Sequence, residues 1–158
     1  MVLERLPNAK LVFAGEYKVV YENFFGRCKD LIDKYREHIV MLGLITDQQK
    51  LANFYAMCDV FALPSRTDCF PSVQIEALLC GAPAVTTDIP GAREVVRVTQ
   101  MGKLVAPRNE RALADGLVEV LTHRERYVKP YEAIRAVFDT EQTISAYESL
   151  LESMIRHT

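Results

Sequence analysis

Short apolar runs alternate along this chain with segments in which apolar side chains recur every three or four positions. The run "KLVFAG" from Lys10 is β-branched and aromatic and closes on Gly15, which predicts a strand. In "YENFFGRCKDLIDKYR" the residues Phe24, Phe25, Cys28, Leu31, Ile32 and Tyr35 return at helical spacing. The pair then repeats. "HIVMLG" predicts a strand, "TDQQKLANFYAMC" a helix capped by Thr46 or Asp47, "DVFALP" a strand, "SVQIEALLCG" a helix capped by Ser72, and "PAVTT" a strand. A turn-rich "DIPGAREVV" follows, then a short strand "GKLVAP", a helix from about Asn109 to Thr122, and helices near Tyr127 to Phe138 and Glu141 to Arg156.

The strands are nearly all apolar instead of alternating, as strands covered on both faces are. The expected class is therefore α/β: a Rossmann-like, doubly wound parallel sheet with helices on both faces. With 158 residues, 49% of them hydrophobic, one domain over residues 1–158 is expected, its C-terminal helices covering about 124–156. "MVLERLP" reads as the tail of a helix, so the chain is expected to be truncated at its N-terminus and to lack the first strand of the sheet. That strand is central in the Rossmann-type order. Its loss leaves two unpaired edges, which neighbouring strands should close or two chains should complete by self-association. The apolar stripe Ile144, Tyr147, Leu150, Leu151 and Met154 reads first as core packing and second as a face that docks onto the missing domain.

Charge adds an exclusion. The 19 basic and 21 acidic residues are mixed, and the net charge of -2 gives no reason to expect a nucleic-acid partner. Cys28, Cys58, Cys69 and Cys80 have neither CxxC spacing nor a His at a ligand offset, and His38, His123 and His157 are scattered. No metal site is expected. There is no signal-peptide pattern and no apolar run of about 18 residues, so the expected setting is cytoplasmic.

The chemistry concentrates in "DCFPSVQIEALLCGAPAV", residues 68–85. Ligands of open parallel sheets gather at the carboxyl ends of strands, where the loop from Pro64 to Pro71 lies. Glu76 falls in the second turn of a helix that is apolar nearly all round, through Val73, Ile75, Ala77, Leu78 and Leu79. A carboxylate there wants donors, and a vicinal diol such as a ribose supplies two. The N–H groups of Ser72 and Val73 at the helix start suit a phosphate. The helix macrodipole with a buried backbone donor or an Arg explains Glu76 as well, and Asp68 in a Ser/Thr/Pro loop reads first as a turn former. Physics alone reaches an anion or nucleotide site.

The stretch "LPSRTDCFPSVQIEALLCGAPAVTTDIPGAREVV" resembles the carboxyl-terminal domain of the GT-B glycosyltransferases of family 4, which carry a Glu, seven residues and a second Glu. Asp68 and Glu76 match that spacing. "PNAKLVFAGE", "HIVMLGLI", "LANFYAMCDVFALPS" and "GKLVAPRNERALADGLVEVL" extend the resemblance in family order over about residues 6 to 122. It implies a donor domain for a nucleotide-sugar. Glu76 would hold the ribose hydroxyls; Phe70, Pro71, Ser72 and Val73 would meet the sugar and diphosphate; Leu44 and Ile45 would border the base; Asp68 would orient the donor sugar for transfer with retention. The acceptor would be a glycan or a lipid-linked molecule, reached through an N-terminal domain absent from this chain. The full-length protein would be cytoplasmic or peripheral at the inner face of a membrane. No metal and no further cofactor are implied.

Three departures bear on this. Asp68 is one methylene shorter than the usual Glu, "FPS" stands where many members have Phe-Gly, and the opening strand and loop with the diphosphate-binding Arg and Lys are not present. A non-catalytic nucleotide-binding or scaffold domain is the alternative, and the chain on its own is expected to be inactive in transfer.

Overall fold

The computed structural model describes residues 1–16 and 24–156, with backbone alone at Phe24, Phe25 and Arg156. Residues 21–23 of the first predicted crossover helix and His157 therefore lie outside the described residues. The chain divides into two compact units, Met1–Phe54 and Tyr55–Thr158.

The first unit opens with one helical turn, α1 (Val2–Arg5). Strand β1 (Leu11–Ala14), helix α2 (Phe24–Lys34) and strand β2 (Ile39–Gly43) follow, and β1 and β2 pair in parallel with Leu11 opposite Ile39. Helix α3 (Gln48–Ala56) begins where the Asp47 carboxylate accepts from the Lys50 N–H at 2.8 Å, which settles the cap between the two candidates in favour of Asp47. The bases of β1 and β2 are tied by polar contacts: Lys10 Nζ donates to the Glu37 carbonyl at 2.5 Å, and His38 Nδ1 lies 3.0 Å from the Ala9 carbonyl.

The second unit holds a three-stranded parallel sheet in the order β3 (Phe61–Leu63), β4 (Ala84–Thr87), β5 (Gly102–Val105). Crossovers are made by α4 (Ser72–Leu79) and α5 (Pro90–Thr99), and α6 (Glu110–Thr122), α7 (Arg124–Tyr127), α8 (Tyr131–Val137) and α9 (Thr140–Arg156) complete the chain. The predicted Asn109 boundary is an N-cap whose side chain accepts from the Ala112 N–H at 2.9 Å. Helices cover both faces of this sheet. On one, Leu78, Ala84, Val95, Val96, Met101 and Ile134 form a buried cluster; on the other, Val85 packs with Val105 and Val120. Because β4 has a partner strand on each side and helices above and below, all four of its residues are buried, Thr86 and Thr87 included.

Three expectations change. The strands β1 and β2 are not buried on both faces: Leu11, Phe13, Val40 and Leu42 are exposed, since a two-stranded ladder has no interior strand. The ladders among the described residues are β1–β2 in the first unit and β3–β4–β5 in the second. The segment "DIPGAREVV" is not a turn but the start of α5, with Ile89 at the N-cap and Pro90 at the first helical position, where its missing N–H costs nothing. The stripe on α9 is exposed at Ile144, Tyr147, Leu150, Leu151 and Met154, which removes the core-packing reading.

Candidate functional site

Strand β4 holds up the loop that follows β3. The Thr86 hydroxyl donates to the Leu63 carbonyl at 3.2 Å, and the Thr87 hydroxyl to the Ser65 carbonyl at 2.6 Å. Further along, the loop crosses the first turn of α5 at Gly91. A Cβ built there would lie 2.0 Å from the Cys69 carbonyl oxygen and 2.3 Å from that of Asp68. Only glycine admits so close a passage of one backbone over another.

The loop delivers the chain into α4 through Pro71, not Ser72. Pro71 is the N-cap, with φ -74° and ψ 100°, and Ser72 is the first helical residue with no capping side-chain bond. Proline's fixed φ suits this extended entry, so no side-chain acceptor is needed to set the angle. The Pro71 carbonyl accepts from the Gln74 N–H at 3.1 Å, while no backbone carbonyl takes the N–H of Ser72 or Val73 among the described residues. Both residues are exposed. At the other end, the Gly81 N–H bonds the Leu78 carbonyl at 2.9 Å and the Ala82 N–H the Ala77 carbonyl at 2.9 Å, a Schellman stop with Gly81 at φ +88°.

Glu76 is half-buried in the second turn of α4. Its Oε2 accepts from the Tyr55 hydroxyl at 3.1 Å, and no Lys or Arg pairs with it among the described residues. Burial first, and then the charge and hydrogen bond of Glu76, push the Tyr55 hydroxyl well above its ordinary pKa. Cys80, one turn further along α4, has its thiol raised by burial and then by Glu76. The carboxylate therefore stands among neutral groups with one protein donor on one oxygen.

The other predicted residues are placed as follows. Asp68 is half-buried in the loop, its side chain without a protein donor among the described residues. Phe70 is exposed and meets Phe138 edge to face, ring centres 6.4 Å apart. Leu44 and Ile45 follow β2 in the first unit, Leu44 exposed. Asp68, Phe70, Pro71, Ser72, Val73 and Glu76 all belong to the second. Arg93, in the first turn of α5, is engaged with Asp88, whose carboxylate lies 2.9 Å from its Nε, and Arg66, in the loop after β3, is exposed. No group of three His, Cys, Asp or Glu side chains is placed to hold a metal among the described residues, and no helix there is long and apolar enough to cross a membrane.

The sequence pattern described as "Glycosyl transferases group 1" matches residues 1–137. The chain belongs to the glycosyl transferases group 1 family.

Among curated relatives in the family, a phosphatidyl-myo-inositol mannosyltransferase of Mycobacterium leprae is 36% identical over 126 residues, 74% of this chain and 33% of that protein. An N-acetyl-alpha-D-glucosaminyl L-malate synthase of Bacillus anthracis is 27% identical over 124 residues, 76% of this chain and 32% of that protein. The chain thus spans about a third of the length of these relatives. In fold it is similar to the sucrose-phosphate synthase of Thermosynechococcus elongatus, with a TM-score of 0.78 at 24% identity over 99% of this chain and 41% of the other. It is similar as well to Anabaena HepE in complex with UDP, at 0.79 and 22% over 96% and 44%. The fold is that of GT-B glycosyltransferases.

Three residues of the site were not found from the sequence. Tyr55 sits in an amphipathic helix where an aromatic reads as core, Gly91 in a segment that reads as a turn, and Gln74 among apolar neighbours. Gln74 is fully buried, its Nε2 donating to the Ala92 carbonyl at 3.1 Å, so it ties the start of α4 to the start of α5. The one available signal was Gln74 itself: a polar side chain on a helix that is otherwise apolar must find a partner.

Proposed function

We propose that this chain is the donor-binding part of a retaining glycosyltransferase of family 4, which binds a nucleotide-sugar such as a UDP- or GDP-sugar and passes its sugar to a glycan or lipid-linked acceptor. The observation that carries this reading is Glu76: a half-buried carboxylate in the second turn of α4 whose only protein donor is a neutral hydroxyl on one oxygen among the described residues. Such a group gains from a diol. The nearby N–H groups of Ser72 and Val73 are positioned in sequence and exposure to take a diphosphate oxygen.

In this reading Glu76 accepts the ribose hydroxyls, Phe70 to Val73 meet the sugar and diphosphate, and Asp68 bonds the donor sugar and orients its anomeric carbon. Charge developing on the leaving diphosphate is met by helix-terminal amides and basic side chains, a chemistry that needs no metal. The name of the mannosyltransferase relative supports a lipid-linked acceptor, and the UDP complex of HepE supports a nucleotide donor. The protein would then work in the cytoplasm or at the inner face of a membrane.

The test is ligand-observed NMR of the chain against UDP, GDP, ADP and their sugar conjugates. One nucleotide should bind, and its signal should vanish in Glu76→Ala. Absence of binding by all of them, or binding that Glu76→Ala leaves unchanged, would overturn the assignment.

A further inference from the structure

Tyr55 has no part in the reading above, yet it is the residue that holds Glu76. Its side chain is 5% exposed, at the end of α3, and its ring meets Phe61 edge to face with centres 5.9 Å apart and planes at 73°. Phe61 is the first residue of β3 and packs against the buried cluster around Leu78. A tyrosine has two side-chain torsions, and here both are fixed by packing, so its hydroxyl is a rigid donor. Glu76 has three torsions and sits half in solvent. Left to itself it would sample several rotamers.

The bond from the Tyr55 hydroxyl to Glu76 Oε2, at 3.1 Å, selects among them. It also divides the carboxylate. A carboxylate offers about four lone-pair directions on two oxygens. Tyr55 takes one on Oε2, and no protein donor reaches Oε1 among the described residues. What remains is a directed acceptor suited to two adjacent hydroxyls.

We infer that Tyr55 is a positioning residue that, by orienting Glu76, sets the preference of this site for ribonucleotides over 2′-deoxyribonucleotides. The inference rests on the proposed role of Glu76 as the ribose acceptor. It does not make Tyr55 a ligand contact. The alternative is that Tyr55 fills space beside Phe61 and its hydroxyl bond is incidental.

The test titrates the chain with UDP and 2′-deoxy-UDP, and with the corresponding GDP and ADP pairs, in wild type, Tyr55→Phe and Glu76→Ala. Wild type should favour the ribose form of the nucleotide that binds by about tenfold. Tyr55→Phe keeps the ring and should lower that ratio about fivefold while the deoxy form binds nearly as before. A purely structural role would weaken both forms equally. If Glu76→Ala abolishes the preference and Tyr55→Phe retains it, the inference fails and the Glu76 assignment stands. If wild type shows no preference or no binding, the Glu76 assignment fails and takes this inference with it. Should Tyr55→Phe not fold, wild-type protein labelled at the tyrosine Cζ carbon reports on the same bond. The ribonucleotide should shift the Tyr55 signal more than its deoxy analogue; equal shifts would overturn the proposal.

Discussion

The two parallel ladders of this protein are written in the same code and end up in opposite conditions. "KLVFAG" and "HIVMLG" are as apolar as "DVFALP" and "PAVTT". Yet Leu11, Phe13, Val40 and Leu42 are 40–48% exposed, whereas β4 is buried throughout. The difference lies in position within the sheet. A ladder of two strands consists of two edges, and an isolated pair is marginal in water. With a third strand, one member becomes interior, and helices can seal both faces. The first unit compensates with contacts at its base from Lys10 and His38, and the second with a packed core.

The largest effect should come from Gly91. Gly91→Ala places a methyl group within 2.3 Å of the backbone carbonyl oxygens of Asp68 and Cys69. The loop must move, at a cost of about 3 kcal/mol or more in the second unit, above ordinary overpacking because backbone yields less than side chains. Urea unfolding followed by circular dichroism measures this. A loss below about 1 kcal/mol would mean that the loop is not pinned over α5.

Core truncation sharpens the contrast between the units. Leu78 is fully buried, so Leu78→Ala should cost about 3 kcal/mol, through lost transfer energy and the cavity left behind. Phe13 is 43% exposed, and Phe13→Ala should cost about 1 kcal/mol or less. Hydrogen exchange read unit by unit separates the two: amides of β3, β4 and β5 should lose protection in the first variant, and those of β1 and β2 should exchange fast in wild type already. Equal losses would show that Phe13 is covered in solution.

How much of this was legible depended on what the pattern reports. Periodicity reports which residues want burial, so the five strands and the helices α2, α3, α4, α6 and α9 came through in order, and Gly81 with Pro83 marked the end of α4, whereas α5 read as a turn and the helix expected near Tyr127 to Phe138 is broken into α7 and α8. It does not report whether a cover is present. The exposure of β1, β2 and the α9 stripe was therefore invisible. At the site, Glu76 stood out because a charge on an apolar helix demands a donor. The identity of that donor, Tyr55, was out of reach, since it comes from another element 21 positions away and an aromatic at helical spacing reads as packing. Ser72 was misplaced by one residue because serine's capping preference and proline's fixed φ compete for the same boundary, and proline prevailed.

The smallest effect concerns pH, and it falls on the second unit alone. Lys103 Nζ donates to Glu119 Oε2 at 2.6 Å, and the Tyr127 hydroxyl donates to Glu119 Oε1, joining β5, α6 and α7. Hydrogen bonds from Lys103 and then Tyr127 hold the Glu119 carboxyl below its usual range, while the bond to Glu119 and then burial push the Tyr127 hydroxyl up to about 12. A raised pKa means that the folded state keeps its proton longer than the unfolded one. The Tyr127 contribution is therefore present below pH 10 and lost as pH climbs toward about 12. For Glu119 the sign reverses: its contribution is present above the unfolded value of 4.5 and fades as pH falls below it. Because Glu119 is 43% exposed at its side chain, solvent screens both partners, and the expected penalty for Tyr127→Phe at pH 8 is about 1 kcal/mol or less. That penalty should shrink as pH rises from 10 to 12. A penalty that stays constant over this interval would place the Tyr127 proton outside the bond to Glu119 and leave ring packing as its whole contribution.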